Sequence, residues 1–503
     1  MSASRRWALA GLVAGLAGLA TSYAAALVLT IRESPVVAVA ELVVDVTPGA
    51  VAETAIGLLG SADKPVLVAT IIVLTCLVFV AIGWLGSRSW RRSLVAWLLL
   101  ASFGLFAVLR QDGARATDAI PVVVGFLTWV VCLDLLGRRV SPASGSEDDG
   151  RRRFLTMAVS IGFGAAVVAA LGRFVGAGRR RVEESRRLLR LPGVTRREPS
   201  PDTRIGVDGV SPWRTRSEDF YLIDTTIAVP IIDPSDWQLR IHGMVDREVV
   251  LTFTDLLDRE VTEAWVTLSC VSNPVGGPLI GNAWWSGVRV ATLLEEAGVQ
   301  DGADAVLQTS DDGWTCGTLW DALTDDRDAM LAVAMNGRPL PFEHGFPVRT
   351  IVPGLYGYVS ACKWVVDLEV TRFSDVSAFW TDRGWAERGP VKLSSRIDVP
   401  SSGDEVVAGA VRVGGVAWAQ HVGIEAVEVA LDGGAWQRAE LADPGTVDTW
   451  VQWAATLDVG PGDHLLRVRA TDRDGTTQSG VEVDVLPDGA EGWHTVDFSA
   501  DEA

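Results

Sequence analysis

Histidine and cysteine are scarce in this chain, five of each in 503 residues. His242, His344, His421, His464 and His494 all lie beyond residue 240. The apolar first third therefore holds no imidazole, which excludes a haem ligated by two histidines among its helices. Carboxylates are absent from the middle of its apolar runs, with Asp134 near the end of one, so a proton relay through them has no support. Basic residues are also short, 44 against 63 acidic, for a formal charge of −19. A phosphate-binding surface needs clustered Lys and Arg, so nucleic acid is excluded as a partner. The acidic excess reads as the solvated face of the second half. No cysteine follows Cys362, and any sandwich built from the C-terminal region lacks an inter-sheet disulfide.

What the chain has in abundance is apolar sequence, concentrated before about residue 175. Trp7–Ile31, Pro65–Leu85, Leu94–Leu109, Ala119–Leu136 and Phe154–Val175 are five runs that suit membrane spans, the third short. Arg5 and Arg6 precede the first run, Arg88, Arg91 and Arg92 separate the second from the third, and Arg138, Arg139 and Arg151–Arg153 separate the fourth from the fifth. The positive-inside rule makes these the cytoplasmic loops. Glu33, Glu41, Asp45, Glu53 and Asp63 then fall in the first outer loop, and everything after the fifth run lies outside. Arg179, Arg180, Arg181, Arg186 and Arg187 run against this assignment, but long domains translocate despite such charge. A cleavable signal over residues 1–31 is an alternative that leaves the later runs as anchors. Membrane lipid is thus an expected partner. Arg151, Arg152, Phe154 and Leu155, in GRRRFLT, fit the RRxFL core of a twin-arginine signal, which exports domains already folded around a cofactor. Ordinary flanking charge explains the arginines but not the Phe-Leu pair.

The expected organisation is a membrane domain over 1–176, an arginine-rich linker over 177–210, a mixed, mostly β domain over 211–390, an immunoglobulin-like β-sandwich over 391–490 and an acidic tail over 491–503. Trp237–Val245 reads as a strand, and Asp255–Arg259 and Val290–Ala297 read as short helices. From Ser394 the alternation shortens, with turns such as Asp432-Gly433-Gly434 and Asp474-Gly475 roughly every ten residues, the spacing of an antiparallel sandwich.

Two stretches carry chemistry. Trp265–Gly287, WVTLSCVSNPVGGPLIGNAWWSG, alternates up to Cys270 and then turns rich in Gly, Pro and Asn. The thiol sits at a strand end, before a loop whose backbone can approach a ligand closely. On that stretch alone a small buried hydrophobe is the more frequent role of such a cysteine. The second stretch, His344–Val365, reads HGFPVRTIVPGLYGYVSACKWV. It presents His344, Arg349 and Lys363 among tight turns, which is what a buried polyanion requires.

Together they resemble the sulfite oxidase family of molybdenum-pterin enzymes. The matching segments are FYLIDTTIAVPIIDP at Phe220–Pro234, Cys270 with Asn273, HGFPVR at His344–Arg349, and Lys363-Trp364. In the C-terminal region, GVAW at Gly415–Trp418 and RATDRDG at Arg469–Gly475 resemble the family's dimerisation domain. The likeness covers roughly residues 205–487 and excludes the membrane third. It implies an enzyme with an α+β, mostly β molybdopterin-binding domain and one molybdenum-molybdopterin, which the apolar runs would anchor to a membrane. It implies Cys270 as the thiolate on the metal, and His344, Arg349 and Lys363 on the pterin and its phosphate. Asp224, Thr225, Asn273 and Thr309 are further cofactor-binding candidates, and a homodimer through the C-terminal domain is implied.

The departures bear on substrate. Sulfite-oxidising members carry an arginine where Ile223 stands, arginines where Pro274 and Val275 stand, and a tyrosine whose nearest match is Trp385, the second catalytic candidate. A small dianion in a dry pocket needs charge-assisted hydrogen bonds. The expected reaction is therefore two-electron oxygen-atom transfer on a neutral or zwitterionic molecule, such as an S- or N-oxide that is reduced, with sulfite oxidation the alternative. No second cofactor motif is present, so electrons are exchanged with a separate redox protein or a quinone. Two rivals stay open: a thiol enzyme using Cys270 with His242 or His344 as base, and a binding protein that keeps the fold without chemistry. Cys76 and Cys132 read as packing inside spans, while Cys316 and Cys362 lie where a disulfide is chemically permitted.

Overall fold

The computed structural model describes residues 3–29, 31, 34–47, 63–111, 116–140, 147–175 and 178–502. Two compact units emerge, Met1–Ser185 with Thr225–Ile231, and Arg186–Asp224 with Ile232–Ala503.

The first unit is helical: α1 (Ala3–Val28), α2 (Pro35–Val46), α3 (Asp63–Gly86), α4 (Trp90–Leu109), α5 (Ile120–Val140), α6 (Glu147–Val175) and the start of α7 (Gly178–Leu188). Five helices are long and apolar enough to cross a membrane, and they coincide with the five expected runs. Helix α1 packs against α3, α5 and α6. Its glycines allow that approach, since a methyl on Gly11 would lie 2.5 Å from the Gly83 Cα. Small residues at a helix crossing let backbones meet where no hydrophobic effect drives association. Trp129 fills the space beside α1 and donates from Nε1 to the Gly15 carbonyl. Helix α2 falls in the expected outer loop. Ser34 caps it, Pro35 opens it, and its 12 residues are too few to span. Glu33 and Glu53 lie outside the described residues. The RRxFL stretch sits within α6, with Phe154 buried and Arg152 and Arg153 exposed.

The second unit opens with a mixed domain of two sheets. Its strands are β1 (Gln238–Gly243), β2 (Val249–Thr252), β3 (Thr262–Ser269), β4 (Ile280–Arg289), β5 (Ala305–Ser310), β6 (Thr315–Leu319), β7 (Met330–Met335), β8 (Arg338–Pro339), β9 (Arg349–Ile351) and β10 (Val365–Thr371). Three short helices, α8 (Phe253–Leu257), α9 (Val290–Ala297) and α10 (Trp320–Thr324), lie between strands. One sheet runs β2-β1-β10-β5-β6, and only its β1–β10 pair is parallel. The other runs β3-β4-β7-β8, with β9 on β7. A single core joins them, including Trp237, Leu239, Ile241, Leu331, Val333, Leu368 and Val370. Strand β3 alternates in sequence, yet from Trp265 to Ser269 both of its faces are buried. Through Trp265 the strand joins a tryptophan cluster with Trp213, Trp284, Trp418 and Trp450.

The C-terminal region adds β11 (Ser394–Val399), β12 (Glu405–Val407), β13 (Gly409–Trp418), β14 (Ile424–Leu431), β15 (Gln437–Arg438), β16 (Glu440–Leu441), β17 (Val451–Val459), β18 (Gly462–Asp472) and β19 (Thr495–Asp501). They form sheets β11-β13-β17-β16 and β12-β19-β18-β14-β15. Val413, Trp453, Val427, Val468, Val496 and Phe498 share the core between them.

Two expectations change. The acidic tail is not a tail: β19 pairs antiparallel with β18 and parallel with β12, burying Val496, Phe498 and Ala500 on alternate positions. The linker is not loose either. Residues 178–188 are helical, Leu189, Leu191 and Val194 pack on the mixed core, and Thr195 donates from its N–H and hydroxyl to Glu263 at 2.7 and 2.6 Å. Its arginines gave it the polarity of a connector, while its few apolar residues decide where it lies.

Candidate functional site

Strand β3 ends at Ser269, and Cys270 opens the loop to β4. The loop is closed by its own asparagine. Asn273 Oδ1 accepts from the Leu279 N–H at 2.9 Å, and the Cys270 N–H donates to the Leu279 carbonyl at 2.9 Å. Asn273 is thus committed through Oδ1 to holding the cysteine loop. Cys270 is buried, and that burial pushes its thiol up against the opposing pull of hydrogen bonding at Ser272.

The turn at Gly357 packs beside this strand end. A methyl placed on Gly357 would lie 3.7 Å from the Tyr221 hydroxyl and 3.8 Å from the Ser269 carbonyl. Burial holds the Tyr221 phenol protonated far above neutrality, and a negative charge at Cys270 would raise it further. Tyr356 has the same character, its phenol pushed up to about 12 chiefly by burial, with Cys270 among the lesser causes. The environment of the thiol is therefore phenolic and apolar.

A cationic group stands on the other side of Tyr221. His344 ends a short 3-10 turn and donates from Nε2 to the Ser217 carbonyl at 2.9 Å, which fixes its neutral tautomer. Burial, aided by Arg349, lowers it to about 4. Gly345 follows at φ +104°, and a methyl there would come within 3.0 Å of Arg349 Cβ and 3.1 Å of Lys363 Cα. Glycine is what lets these two basic residues close around one turn. Arg349, at the start of β9, is 6% exposed and donates to the carbonyls of His344 and Ala361. Its Nε is buried without a partner, it faces Trp285, and no carboxylate pairs with it. Burial lowers it to about 10. Lys363 Nζ pairs with Asp224 at 2.7 Å and donates to the Glu343 carbonyl at 3.3 Å.

The sequence candidates thus divide. His344, Arg349, Lys363 and Asp224 are gathered around one turn, and Cys270 is linked to them through Tyr221. Thr309 lies half-buried on β5 between Asp367 and Thr315. Thr225 belongs to the first unit. Trp385 sits in the mixed core against Tyr358 and Trp380, its buried Nε1 unpartnered. Sequence reading passed over Tyr221 and Tyr356, although both lie inside quoted motifs. With only four tyrosines in the chain, two beside one cysteine was an available signal.

A family model described as "Oxidoreductase molybdopterin binding domain" matches residues 226–380. An uncharacterised oxidoreductase, YuiH of Bacillus subtilis, is 34% identical over 157 residues, 31% of this chain and 76% of that protein. Sulfite oxidase of Gallus gallus is 30% identical over 288 residues, 48% of this chain and 62% of that enzyme, so under two thirds of its length is spanned. This chain belongs to the sulfite oxidase family of molybdopterin-dependent oxidoreductases. The structure of the sulfane dehydrogenase SoxCD from Paracoccus pantotrophus, at 22% identity, aligns over 63% of this chain and 88% of that one, with a TM-score of 0.48.

The family's cofactor is molybdenum-molybdopterin, and the residues present fit it. A buried guanidinium with an unpartnered Nε, paired with no carboxylate among the described residues, is a group whose burial an anion such as the pterin phosphate would offset. A cysteine thiol at a closed strand end is the soft donor that a metal already bound by sulfur accepts. Beneath them runs a satisfied buried chain. Cys362 N–H donates to Thr350 Oγ1, Thr350 to Gln308 Oε1, Gln308 Nε2 to Thr318, and Thr318 to the Val359 carbonyl, at 2.6–2.8 Å. It locks the turn that carries Lys363. Cys316 and Cys362 are both free and buried; burial and the neighbouring Cys316 push the Cys362 thiol well up, and that thiol donates to the Lys363 carbonyl at 3.7 Å.

Proposed function

We propose that this oxidoreductase is anchored by its five apolar helices and carries out two-electron oxygen-atom transfer on a small neutral or zwitterionic substrate, an S- or N-oxide rather than sulfite. The carrying observation is the setting of Cys270: a buried thiol at the end of a strand that packs, through the Gly357 turn, beside the Tyr221 hydroxyl. The alternative is sulfite oxidation, favoured by the identity to sulfite oxidases. A sulfite dianion would face Ile223, Pro274 and Val275 and meet no cation there to offset its lost hydration.

In this reading Cys270 ligates the metal, and the raised thiol must give up its proton as the metal binds. Arg349, His344 and Lys363 hold the pterin and its phosphate. Asp224 orients Lys363, Asn273 closes the cysteine loop, and Thr225 and Thr309 are weaker contacts. The bound molybdenum supplies the two-electron change of oxygen transfer. Tyr221 and Tyr356 stay protonated at neutral pH and offer hydrogen-bond donors to a substrate oxygen. Trp385, at the position of the family's tyrosine, supports Tyr358 from the core. The catalytic domain lies outside the cytoplasmic membrane, exported by the RRxFL signal, and exchanges electrons with a separate redox protein or a quinone. The C-terminal sheets form an immunoglobulin-like sandwich through which two copies associate.

The test is molybdenum and pterin analysis of the detergent-purified chain, followed by two assays: dimethyl sulfoxide and trimethylamine N-oxide with reduced viologen, and sulfite with ferricyanide. About one metal per chain with oxide reduction is expected. Robust sulfite turnover with no oxide reduction would overturn the substrate assignment. Cys270→Ser should abolish activity while pterin stays bound. Activity that needs no molybdenum would instead favour Cys270 as a nucleophile.

A further inference from the structure

The segment Asp488–His494 belongs to the C-terminal region, yet three of its residues also touch the cysteine loop and the tyrosine turn. It leaves a short antiparallel ladder in which Val483 and Glu491 exchange both backbone hydrogen bonds. At its start, the Pro487 carbonyl accepts from the Ala386 N–H at 2.8 Å, one residue beyond Trp385. Gly489, at φ +103°, lies against Tyr356, and a methyl there would meet the hydroxyl at 2.6 Å. A methyl on Gly492 would touch Val275 Cγ2 at 3.4 Å. His494 stacks on the backbone of Gly276, where a methyl would lie 2.1 Å from Cδ2 and Nε2 of the ring. The ring is itself fixed, with Nδ1 accepting from the Ile397 N–H at 3.0 Å. Val275 and Gly276 both belong to the loop that Cys270 opens.

The segment is pinned at both ends. Lys392 Nζ meets Asp488 at 2.8 Å, the Gly489 carbonyl at 2.9 Å and Glu491 at 2.9 Å, while its own N–H donates to the Tyr356 hydroxyl at 3.3 Å. On the loop side, Arg396, held by Asp398 at 2.7 Å, donates to the Gly277 carbonyl at 2.9 Å. Two acidic groups and one lysine are thereby spent on holding backbone, and the close contacts occur where glycine leaves no side chain.

We propose that Asp488–His494 is a positioning strap of the active site, seating the Cys270 loop against the Tyr356 turn through the Gly276–His494 and Gly489–Tyr356 contacts. The role rests on Cys270 as the metal-binding residue. His494 and Lys392 act through the loop and the turn, so they are positioning residues. The C-terminal region is then part of the site's construction as well as an association module.

The test uses the full chain in detergent, prepared with and without the molybdenum cofactor. In the cofactor-free chain, iodoacetamide alkylation of Cys270 is followed by peptide mass spectrometry, with Cys316 and Cys362 as internal controls for global opening. Gly276→Ala should raise the Cys270 rate about tenfold, with the controls unchanged, by loosening the loop locally. His494→Ala, which takes the ring off the Gly276 backbone, should raise it by a similar factor. Lys392→Gln should raise it too, and if Gly276→Ala does not accumulate, this variant and His494→Gln decide the matter. In the loaded chain, the thiolate-to-molybdenum absorption should shift in the same variants at unchanged metal content. Parent-like alkylation and absorption in the accumulating variants would overturn the strap. Should Cys270→Ser keep the parent absorption, the ligand assignment fails, and the alkylation result still reports on the strap contact.

Discussion

Lys363 and Asp224 stand 139 residues apart in sequence and meet with Nζ and Oδ2 2.7 Å apart, both nearly buried. Removing one partner takes away the short ion pair that offsets the other charge's poor hydration. Lys363→Met and Asp224→Asn should each cost about 2–3 kcal/mol. The double variant should cost less than their sum by about 1–2 kcal/mol. Thermal unfolding of the four proteins in detergent checks this, and additive losses would show that the pair is not coupled.

Arg349 should behave in the opposite way. Its guanidinium is buried with an unpartnered Nε and no carboxylate, so the cofactor-free chain gains little from the charge. Arg349→Met loses two hydrogen bonds to carbonyls but removes a costly desolvation, and cofactor-free stability should stay within about 1 kcal/mol of the parent. Pterin content should fall severely. Calorimetry beside pterin release assays separates the two effects, and a large loss of cofactor-free stability would count against a binding role.

His344 supplies a pH dependence. It is lowered to about 4 in the fold by burial, with Arg349 adding to it, against an ordinary value near 6.5. The fold holds the neutral form, so its contribution is complete above about pH 6.5 and is lost as pH falls toward 4, where the unfolded chain takes the proton first. The loss over that window should be about 3 kcal/mol in the cofactor-free chain. It should shrink when an anionic phosphate is bound beside the imidazole. His344→Gln should flatten the curve, which melting temperatures between pH 4 and 7 would reveal.

Thr350→Val is nearly isosteric yet removes the centre of the buried chain beneath the turn. Gln308 Oε1 loses its donor and the Cys362 N–H its acceptor. A cost of about 2–4 kcal/mol is expected, together with reduced cofactor retention as the Lys363 turn loosens. Gln308→Leu in the same background should restore part of the stability, since it removes the stranded Gln308 oxygen and leaves only the Cys362 N–H without its acceptor. Urea unfolding of the single and double variants provides the comparison.

Much of this was legible in the chain itself. Five runs of apolar residues foretold five long helices because backbone hydrogen bonding and bilayer thickness leave few other solutions. Cys270, His344, Arg349 and Lys363 stood in recognisable motifs, and His344, Arg349 and Lys363 meet at the Gly345 turn. The C-terminal tail was misjudged through composition. Its acids masked the alternation of Val496, Phe498 and Ala500, which earns a place in the sheet by burying every second side chain. Asn273 was expected at the cofactor but closes the cysteine loop through Oδ1, a distinction that residue type cannot carry.

The sequence by itself determined the apolar helices, the family and the soft donor at a strand end, since each depends on local pattern or on motifs contiguous in the chain. Tertiary structure alone decided which distant groups share the site. It paired Asp224 with Lys363, set Tyr221 and Tyr356 beside Cys270, left Arg349 without a carboxylate, and brought His494 onto Gly276. These are consequences of sheet order and of close approach at glycines, where the absent side chain matters, and neither leaves a local mark in the sequence.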